Sequence, residues 1–242
     1  MKINFALLRN RDDVTAIVAH ARRDFETRAL PEGAVCLADK NLLDQHWELA
    51  KPYYDYVLSR GLERHLDMLF VDVNQTGPLK QRLIIPYYYE QRCVGYTARA
   101  IADQKPKYYN YQQAGYVFNT DCVKPQHKYC LVVEGIMDAL LINGVAITTN
   151  RISQDQTQII NSLGKTVVVV PDQDRAGLDL IDSAVSHGYA VSFPNWDTGI
   201  KDVNDAVLAY GLLHTLITIF ANIETTTASI EIKKRLMKNR VT

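Results

Sequence analysis

Three short runs of mainly apolar, β-branched residues stand out in the second half of the chain. They cover residues 129–133, 166–170 and 190–193. Runs of this length are typical of strands in a parallel sheet that is buried on both faces. Each run is followed by a stretch with helical periodicity, which predicts repeated βαβ units with right-handed crossovers. The pattern therefore predicts an α/β domain.

The stretches between these runs carry start and stop signals for helices. Ser153 and Gln156 have the spacing of a capping box, which predicts a helix start. Glycines at 144, 164 and 188 follow the helical periodicity and predict its ends. Helices are predicted over residues 136–143, 154–163, 175–187 and 203–209, with a short strand over 146–148.

The first half of the chain has shorter patterns. Two helical patterns are present, one with apolar residues at Val14, Ile17, Val18, Ala21 and Phe25 and one over residues 41–59. Residues 79–89 and 93–101 read as a β-hairpin around a turn at 90–92. We therefore divide the chain into an N-terminal helical segment (1–76), a β-rich segment (77–127), an α/β domain (128–210) and a C-terminal helical tail (211–242).

The net charge is zero, but the charges are unevenly distributed along the chain. Residues 80–107 contain six basic and two acidic side chains, whereas residues 128–210 contain five basic and ten acidic ones. Residues 211–242 are again basic, with five basic and two acidic side chains. A basic segment beside an acidic one is what a polymerase-like site needs, because cations hold the nucleic-acid backbone and carboxylates hold metals.

Cysteine spacing and hydropathy exclude several classes of protein. Four cysteines, at 36, 93, 122 and 130, lie far apart and form no Cys-x-x-Cys pair, so we expect neither a disulfide framework nor a zinc site. No signal-peptide pattern is present, and polar residues interrupt the longest apolar run, at 212–220. We expect a protein of the reducing cytoplasm that does not associate with membranes.

Acidic residues follow each of the three apolar runs. They are Glu134 and Asp138 after the first, Asp172 and Asp174 after the second, and Asp202 and Asp205 after the third. Ligands of parallel sheets bind beyond the carboxyl ends of the strands, so we expect these side chains at one edge. Carboxylates gathered there repel one another unless a cation neutralises them. Such oxygen-rich sites suit Mg²⁺ and serve phosphoryl or nucleotidyl transfer.

Each acidic residue also has a purely structural interpretation. Asp174 and Asp202 stand where the N-caps of two predicted helices are expected, and Glu134 could pair with a basic neighbour. Capping does not explain Asp172 or Glu134, which follow strands. Asp138 lies one helical turn after Glu134 and can point towards the same edge. Taken together, the acidic residues favour a metal site.

Three motifs give these residues a family resemblance. Glu-Gly-x-x-Asp at 134–138, Asp-x-Asp-x-Ala-Gly at 172–177 and Lys-Asp-x-Asn-Asp at 201–205 resemble a TOPRIM domain, which bacterial-type primases, topoisomerases and some nucleases share. Segments 82–86, 95–99 and 106–110 resemble the basic subdomain that precedes TOPRIM in bacterial and phage primases, most closely those of T-even-type phages. The resemblance covers about residues 50–210. It implies a TOPRIM-type, mainly parallel sheet flanked by helices, preceded by a smaller mixed α+β basic subdomain.

The resemblance also implies roles for individual residues. Mg²⁺ (or Mn²⁺) would be held by Glu134, Asp172, Asp174, Asp202 and Asn204, of which the first three are catalytic. Glu134 is alternatively a general base. Supporting residues would be Asp138, Lys201 and Asp205, and contacts to nucleic acid or NTPs would come from Arg82, Arg99, Lys105, Lys107 and Arg175. Asn204 departs from the family pattern, which usually has a second aspartate there.

The implied activity is synthesis of short RNA primers from NTPs on a single-stranded DNA template, with a replicative helicase as partner. A TOPRIM nuclease and a non-catalytic nucleic-acid-binding subunit are the alternatives; the second is motivated by the absence of the zinc-ribbon module of the resembled primases. The tyrosines at 87–89 could stack on bases, although side-chain alternation places at least one in the core. The basic helix predicted at 230–240 either contacts DNA or the helicase or is simply solvated.

Overall fold

The computed structural model describes the backbone of residues 23–241 and the side chains of residues 23–238. The amphipathic pattern predicted from Val14 to Ala21 lies outside this range. Phe25, the last position of that pattern, lies in irregular backbone and is buried in the core. Its aromatic ring packs edge-on against Tyr89 and Tyr116.

The first half of the protein is built on an antiparallel sheet of five strands in sequential order. The strands are β1 (Ala34–Cys36), β2 (Phe70–Asp72), β3 (Arg82–Tyr89), β4 (Arg92–Ala100) and β5 (Tyr108–Tyr111). The predicted hairpin is β3 and β4. Its turn residues, Glu90 and Gln91, have φ values of 49° and 63°, as a tight two-residue turn requires.

Two helices, α1 (Lys40–Gln45) and α2 (Trp47–Ser59), connect the first two strands. The predicted helical stretch at 41–59 is therefore split at His46. Because β1 and β2 pair with the sheet, residues 1–76 are not only helical, and the predicted boundary at 76 separates strands that are paired. Strands of three residues are too short to give a period-two pattern, which is why the sequence did not indicate them.

The second half contains the predicted α/β domain. Its sheet has the order β10-β9-β8-β6-β7, with strands β6 (Tyr129–Val133), β7 (Val145–Ala146), β8 (Thr166–Val169), β9 (Ala190–Ser192) and β10 (Ile223–Glu224). The first four of these strands are parallel. Strand β10 is antiparallel to β9, so the C-terminal tail contributes an edge strand and is not purely helical. The predicted fold class is confirmed.

The helices of this half follow the predicted capping signals closely. They are α3 (Ile136–Ile142), α4 (Gln154–Ser162), α5 (Arg175–Ser186), α6 (Val203–Tyr210), α7 (Leu212–Ala221) and α8 (Thr227–Val241). The capping box of Ser153 and Gln156 is present at the start of α4. Helix α3 ends one residue earlier than predicted, because Asn143 rather than Gly144 adopts the left-handed conformation. Among the residues that the structure covers, no helix combines the length and apolar character of a membrane span.

The two sheets share one continuous hydrophobic core. Phe118 and Ala146 exchange backbone hydrogen bonds, which attach the connecting segment to the edge strand β7. Tyr87 and Tyr89 are buried in this core, and only Tyr88 of the three adjacent tyrosines is partly exposed. The three tyrosines therefore cannot all stack on bases. Successive side chains of a strand alternate between its two faces, as the sequence analysis expected.

Candidate active site

Two of the predicted acidic residues line a cleft between the two sheets. Glu134 follows β6 and Asp172 follows β8, and these neighbouring parallel strands are paired in register. Both side chains therefore emerge at the carboxyl edge of the sheet. The cleft has a volume of about 350 Å³, and its opposite side is formed by Tyr108 and Asn110 of β5. The site thus joins the two halves of the protein.

The structural interpretation of Asp174 and Asp202 is correct, because both cap helices. Asp174 Oδ1 accepts hydrogen bonds from the backbone N–H groups of Ala176 (2.8 Å) and Gly177 (3.1 Å) at the start of α5. Asp202 Oδ1 accepts one from Asp205 N–H (2.7 Å) at the start of α6. These bonds use one oxygen of each carboxylate, so capping leaves Oδ2 of each to bind a cation. Capping and ligation are compatible here.

The glycines of the first two motifs have a steric explanation. A Cβ atom on Gly135 would overlap the carboxylate of Asp138, which folds back over this position. A Cβ atom on Gly177 would overlap the main-chain carbonyl oxygen of Asp172. In each of these two motifs, the glycine thus makes room for one acidic residue, Asp138 in the first and Asp172 in the second.

Burial and mutual repulsion raise the pKa values of the carboxyl groups. Burial, followed by the charges of Asp138 and Glu134, raises the pKa of Asp172 to about 9. Burial and the neighbouring Asp174 raise the pKa of Glu134 to about 7, and burial and Asp202 raise that of Asp138 to about 7. The pKa of Asp202 is also raised, mainly by burial. The cluster therefore holds protons near neutral pH unless a cation replaces them.

The chemistry of this donor set fits a divalent cation. Glu134 Oε1 is buried and has no hydrogen-bond partner, which leaves it free to ligate. Within the described residues, however, no three His, Cys, Asp or Glu side chains converge as in a preassembled metal site. The carboxylates are near enough to raise one another's pKa values, but three of them would have to move closer to share one ion. The residues thus fit Mg²⁺ or Mn²⁺ in charge and donor type.

Asn204 disagrees with its predicted role as a metal ligand. Its side chain is 3% exposed, and its Oδ1 accepts a hydrogen bond from Arg60 Nη1 (3.0 Å). Its Nδ2 donates to the carbonyl oxygen of Arg60 (2.8 Å), so both ends of the amide are occupied. The backbone N–H of Asn204 donates to Asp138 Oδ1 (2.7 Å). The residue links Arg60 to the acidic cluster. No local sequence pattern indicates this link, because Arg60 and Asn204 are 144 positions apart.

We expect Asn204→Asp to destabilise the metal-free protein by about 1–3 kcal/mol, the usual cost of an unsatisfied buried polar group. A carboxylate cannot donate to the Arg60 carbonyl, and it adds a charge beside Asp138. Urea unfolding in EDTA measures this loss. Were residue 204 a metal ligand instead, the variant would bind Mg²⁺ more tightly than the wild type and regain its stability when Mg²⁺ is added.

Asp138 and Asp205 both accept hydrogen bonds from the main chain around the start of α6. Asp138 is buried and bonded to the first turn of α6, so its carboxylate is fixed by the main chain. Asp205 Oδ2 accepts a hydrogen bond from Lys201 N–H (3.3 Å) and closes the turn before α6. The side chain of Lys201 is exposed. It lines a second, polar cleft of about 680 Å³ together with Arg175, next to Asp174.

Three cations from different parts of the chain lie near one another, and two of them, Arg60 and Lys107, interact with the charge of Asp202. Lys107 is exposed, and the neighbouring charges of Arg99 and Arg60 lower its pKa, whereas Asp202 opposes that shift. Arg99 lies over the ring of Tyr108, with its Cζ atom 4.6 Å from the ring centroid. We call Arg60, Arg99 and Lys107 the basic cluster. Sequence reasoning found the last two but missed Arg60.

The remaining predicted basic residues lie in different environments. Arg82 is 4% exposed, and its guanidinium donates to the carbonyl oxygens of Ala98 and Lys107, both at 3.4 Å. Its position therefore disagrees with the predicted contact to nucleic acid or NTPs. Arg82 pairs with Ala100 and Arg99 pairs with Leu83 across β3 and β4, so the two arginines lie on opposite faces of the sheet. Lys105 is exposed in the loop before β5.

Thr148 is a strained residue at the cleft that the sequence did not indicate. Its φ is 60°, which is uncommon for a β-branched residue. Its N–H donates to the carbonyl oxygen of Glu134 (3.1 Å), and its hydroxyl donates to Gln112 Oε1 (3.1 Å). The strained backbone is thus bonded directly to the main chain of Glu134. Strain of this kind tends to occur at functional sites.

Comparisons with known proteins find the same fold in primases. No protein-family model and no curated protein sequence matches the chain. A solved DnaG primase catalytic domain bound to ssDNA is 18% identical, with a TM-score of 0.51 over 75% of this chain and 64% of that chain. The Escherichia coli primase catalytic core is 19% identical, with a TM-score of 0.50 over 75% of this chain and 63% of that chain.

The RNA polymerase domain of the Mycobacterium tuberculosis primase DnaG gives a higher TM-score of 0.59. It is 17% identical and aligns over 89% of this chain and 85% of that domain. The chain spans slightly less than two thirds of the first two structures, 64% and 63%. These similarities establish the fold of primase catalytic cores for this protein.

Proposed function

We propose that this protein is the catalytic core of a DNA primase, which makes short RNA primers from NTPs on single-stranded DNA by two-metal nucleotidyl transfer. The observation that supports it best is the acidic cluster at the carboxyl edge of the parallel sheet, with the basic cluster beside Asp202. This pairing of charges occurs in a fold shared with primase cores. Carboxylates for metals and cations for phosphates are the two requirements of such chemistry.

Four carboxylates would hold the metal ions: Glu134, Asp172, Asp174 and Asp202. Bound Mg²⁺ or Mn²⁺ supplies Lewis acidity, which lowers the pKa of a primer 3′-hydroxyl and stabilises charge on the departing pyrophosphate. In the alternative role, Glu134 would instead accept a proton from that hydroxyl through its buried, unpartnered Oε1. Asp138 acts through its bond to the first turn of α6, by keeping Asp202 next to Glu134 and Asp172.

The basic cluster would hold the triphosphate of an incoming NTP or the template backbone. Lys107 is exposed, so it can reach a phosphate without rearrangement of the core. Arg99 is 7% exposed and rests on Tyr108, so its guanidinium is held in place before any substrate binds. A phosphate group can bind these preorganised cations and, at the same time, the metal ions that the neighbouring carboxylates would hold. Anions that cannot bind both would be held less well.

Affinity for single-stranded DNA should fall with salt, and Lys107→Ala should flatten that dependence. Each lost phosphate contact reduces the slope of log K against log salt by about 0.7 for single strands. Fluorescence anisotropy of a labelled oligonucleotide over a salt series, in EDTA, measures the slope. Lys80→Ala, which removes an exposed lysine of the same basic segment, is the matched control. An unchanged slope for Lys107→Ala would move the DNA contact elsewhere.

A primer-synthesis assay tests the proposed function directly. The wild type should incorporate labelled NTPs into short RNA on single-stranded DNA when Mg²⁺ or Mn²⁺ is present. It should make no RNA in EDTA. Cleavage of labelled DNA with the same metals, without synthesis, would instead identify a nuclease. DNA binding without either reaction would identify a non-catalytic subunit.

The finer features of the proposal follow from the sequence resemblance to T-even-type phage primases. They include a phage origin, a replicative helicase as partner and the cytoplasm as location. Helix α8 is the segment predicted to contact DNA or the helicase, and two of its lysines already have acidic neighbours. Lys234 pairs with Asp182, and Lys233 lies 4.0 Å from Glu224. Arg235 of the same helix is exposed and is available to a partner.

A further inference from the structure

Arg60 and Asn204 form a reciprocal pair that connects the two halves of the protein. Arg60 is the C-cap of α2, and Asn204 lies in the first turn of α6. The guanidinium donates to the amide oxygen (3.0 Å), and the amide nitrogen donates to the Arg60 carbonyl (2.8 Å). Since Asn204 is buried, neither bond competes freely with water, and both are costly to break.

The turn held by this pair carries two carboxylates of the acidic cluster. Asp202 is the N-cap of α6 and bonds to the N–H of Asp205 (2.7 Å). The N–H of Asn204 itself bonds to the carboxylate of Asp138 (2.7 Å). A shift of this turn would therefore move Asp202 and loosen Asp138 at the same time.

The guanidinium of Arg60 is also held on its other side and lies among the charges of the site. Its Cζ atom is 5.6 Å from the centroid of the Tyr56 ring, one turn earlier on α2. Its charge acts on Lys107 and on Asp202, which lie on different elements. Arg60 thus bonds to Asn204, two residues after Asp202, and its charge acts on Lys107.

We propose that Arg60 is a positioning residue: through Asn204 it fixes the first turn of α6, and with it Asp202 and Asp138, relative to Arg99 and Lys107. The inference rests on the proposed function for its catalytic consequence. Its structural part, the fixation of the turn, stands on the hydrogen bonds alone. Arginine is suited to this role because its planar group keeps its charge while one edge is bonded to the amide.

Amide hydrogen exchange measured by NMR in the metal-free protein tests the fixation of the turn. We expect Arg60→Gln to speed exchange at the Asn204 and Asp205 amides at least about tenfold, with strand β6 unchanged. Asn204→Ala removes the same pair from the other side, keeps the backbone bond to Asp138, and should have the same effect. Arg64→Gln is the matched control, since Arg64 is an exposed arginine four residues further on. Equal exchange in Arg60→Gln and Arg64→Gln would overturn the proposal.

Kinetics of primer synthesis test the catalytic consequence. We expect Arg60→Gln and Asn204→Ala to lower kcat by about 10- to 100-fold, as loss of a supporting contact typically does. The affinity of Asn204→Ala for single-stranded DNA in EDTA should stay within about twofold of the wild type, because Asn204 is buried and uncharged. The double variant should be no less active than the less active of the two single variants. Arg60→Lys keeps the charge without the planar fork, so its kcat should remain low.

The outcomes separate this inference from the proposed function. Full recovery of kcat in Arg60→Lys would mean that charge alone matters, which overturns the positioning role. A kcat unchanged in Arg60→Gln would overturn it as well. If the wild type makes no primers, the proposed function fails, and the exchange measurements alone decide whether Arg60 fixes the turn.

Discussion

Asp172→Asn should abolish nucleotidyl transfer and stabilise the metal-free protein at the same time. Asp172 is the carboxyl group on which the other four acidic side chains act together, since Asp138, Glu134, Asp202 and Asp174 all raise its pKa. An amide at this position keeps the shape of the side chain but removes the charge that a divalent cation needs. Primer synthesis at saturating Mg²⁺ measures the loss of activity.

The stability effect depends on pH in a definite direction. The pKa of Asp172 is about 9 in the folded protein, against 3.8 for the unperturbed group. Below 3.8 the group is protonated in both states and has no effect. Between these values the folded state holds a proton that the unfolded state has lost, so the stability of the wild type falls as pH rises. The asparagine variant does not titrate and should escape this loss.

We expect the advantage of Asp172→Asn to reach about 1–3 kcal/mol at pH 8 in EDTA. This advantage is smaller than the full pKa shift of Asp172 would give. The reason is that Glu134 and Asp138 also have raised pKa values, so their protonation changes when the charge at residue 172 is removed. Urea unfolding at pH 4 and pH 8 measures it. Wild-type synthesis by the variant would refute the metal assignment, and equal stabilities at both pH values would refute the repulsive cluster.

Asp174→Ala is the informative comparison. It should also abolish synthesis, but it should destabilise the protein by about 0.5–2 kcal/mol, the usual cost of losing an N-cap. The reason is that Asp174 Oδ1 accepts two backbone hydrogen bonds at the start of α5. The motif alone predicts the same result for both aspartates, namely an intact or slightly more stable fold. The structure separates them, because only Asp172 lacks a capping role.

The sequence predicted most of the second sheet and the position of its acidic edge. Buried parallel strands must be continuously apolar, so β6 and β8 are visible as uninterrupted runs, and Glu134 and Asp172 follow from where those runs end. Capping signals are local as well, which is why Ser153 and Asp174 mark helix starts in both the sequence and the structure. Features fixed by neighbouring residues were thus predictable.

Features fixed by distant residues were not. The pairing of Arg60 with Asn204 depends on where the C-terminal end of α2 lies relative to the first turn of α6, and no local pattern encodes it. Whether Arg82 is exposed depends on which face of the β3–β4 hairpin it occupies and on the carbonyl groups near it. The edge strand β10 has only two residues, so its pairing with β9 leaves no periodic signal.

Gly177→Ala should damage both the fold and the site. Gly177 lies in the first turn of α5, where alanine would normally be favoured over glycine by about 1 kcal/mol. Here the added Cβ would overlap the main-chain oxygen of Asp172, which cannot rotate away as a side chain would. We expect a net loss of about 2–4 kcal/mol in the free energy of unfolding, because the backbone must shift to relieve the overlap.

The same shift would displace Asp172 and the start of α5, so primer synthesis should fall by at least about 100-fold. Gly164→Ala is the matched control: its φ is 65° and nothing lies within 4 Å of the new Cβ. Only the left-handed backbone opposes that change, at a cost of about 1 kcal/mol and with no effect on synthesis. Urea unfolding and primer synthesis of the two variants measure the difference. If Gly177→Ala lost no more than Gly164→Ala in either assay, the close packing of α5 on the Asp172 main chain would not be what holds this carboxylate at the edge of the sheet.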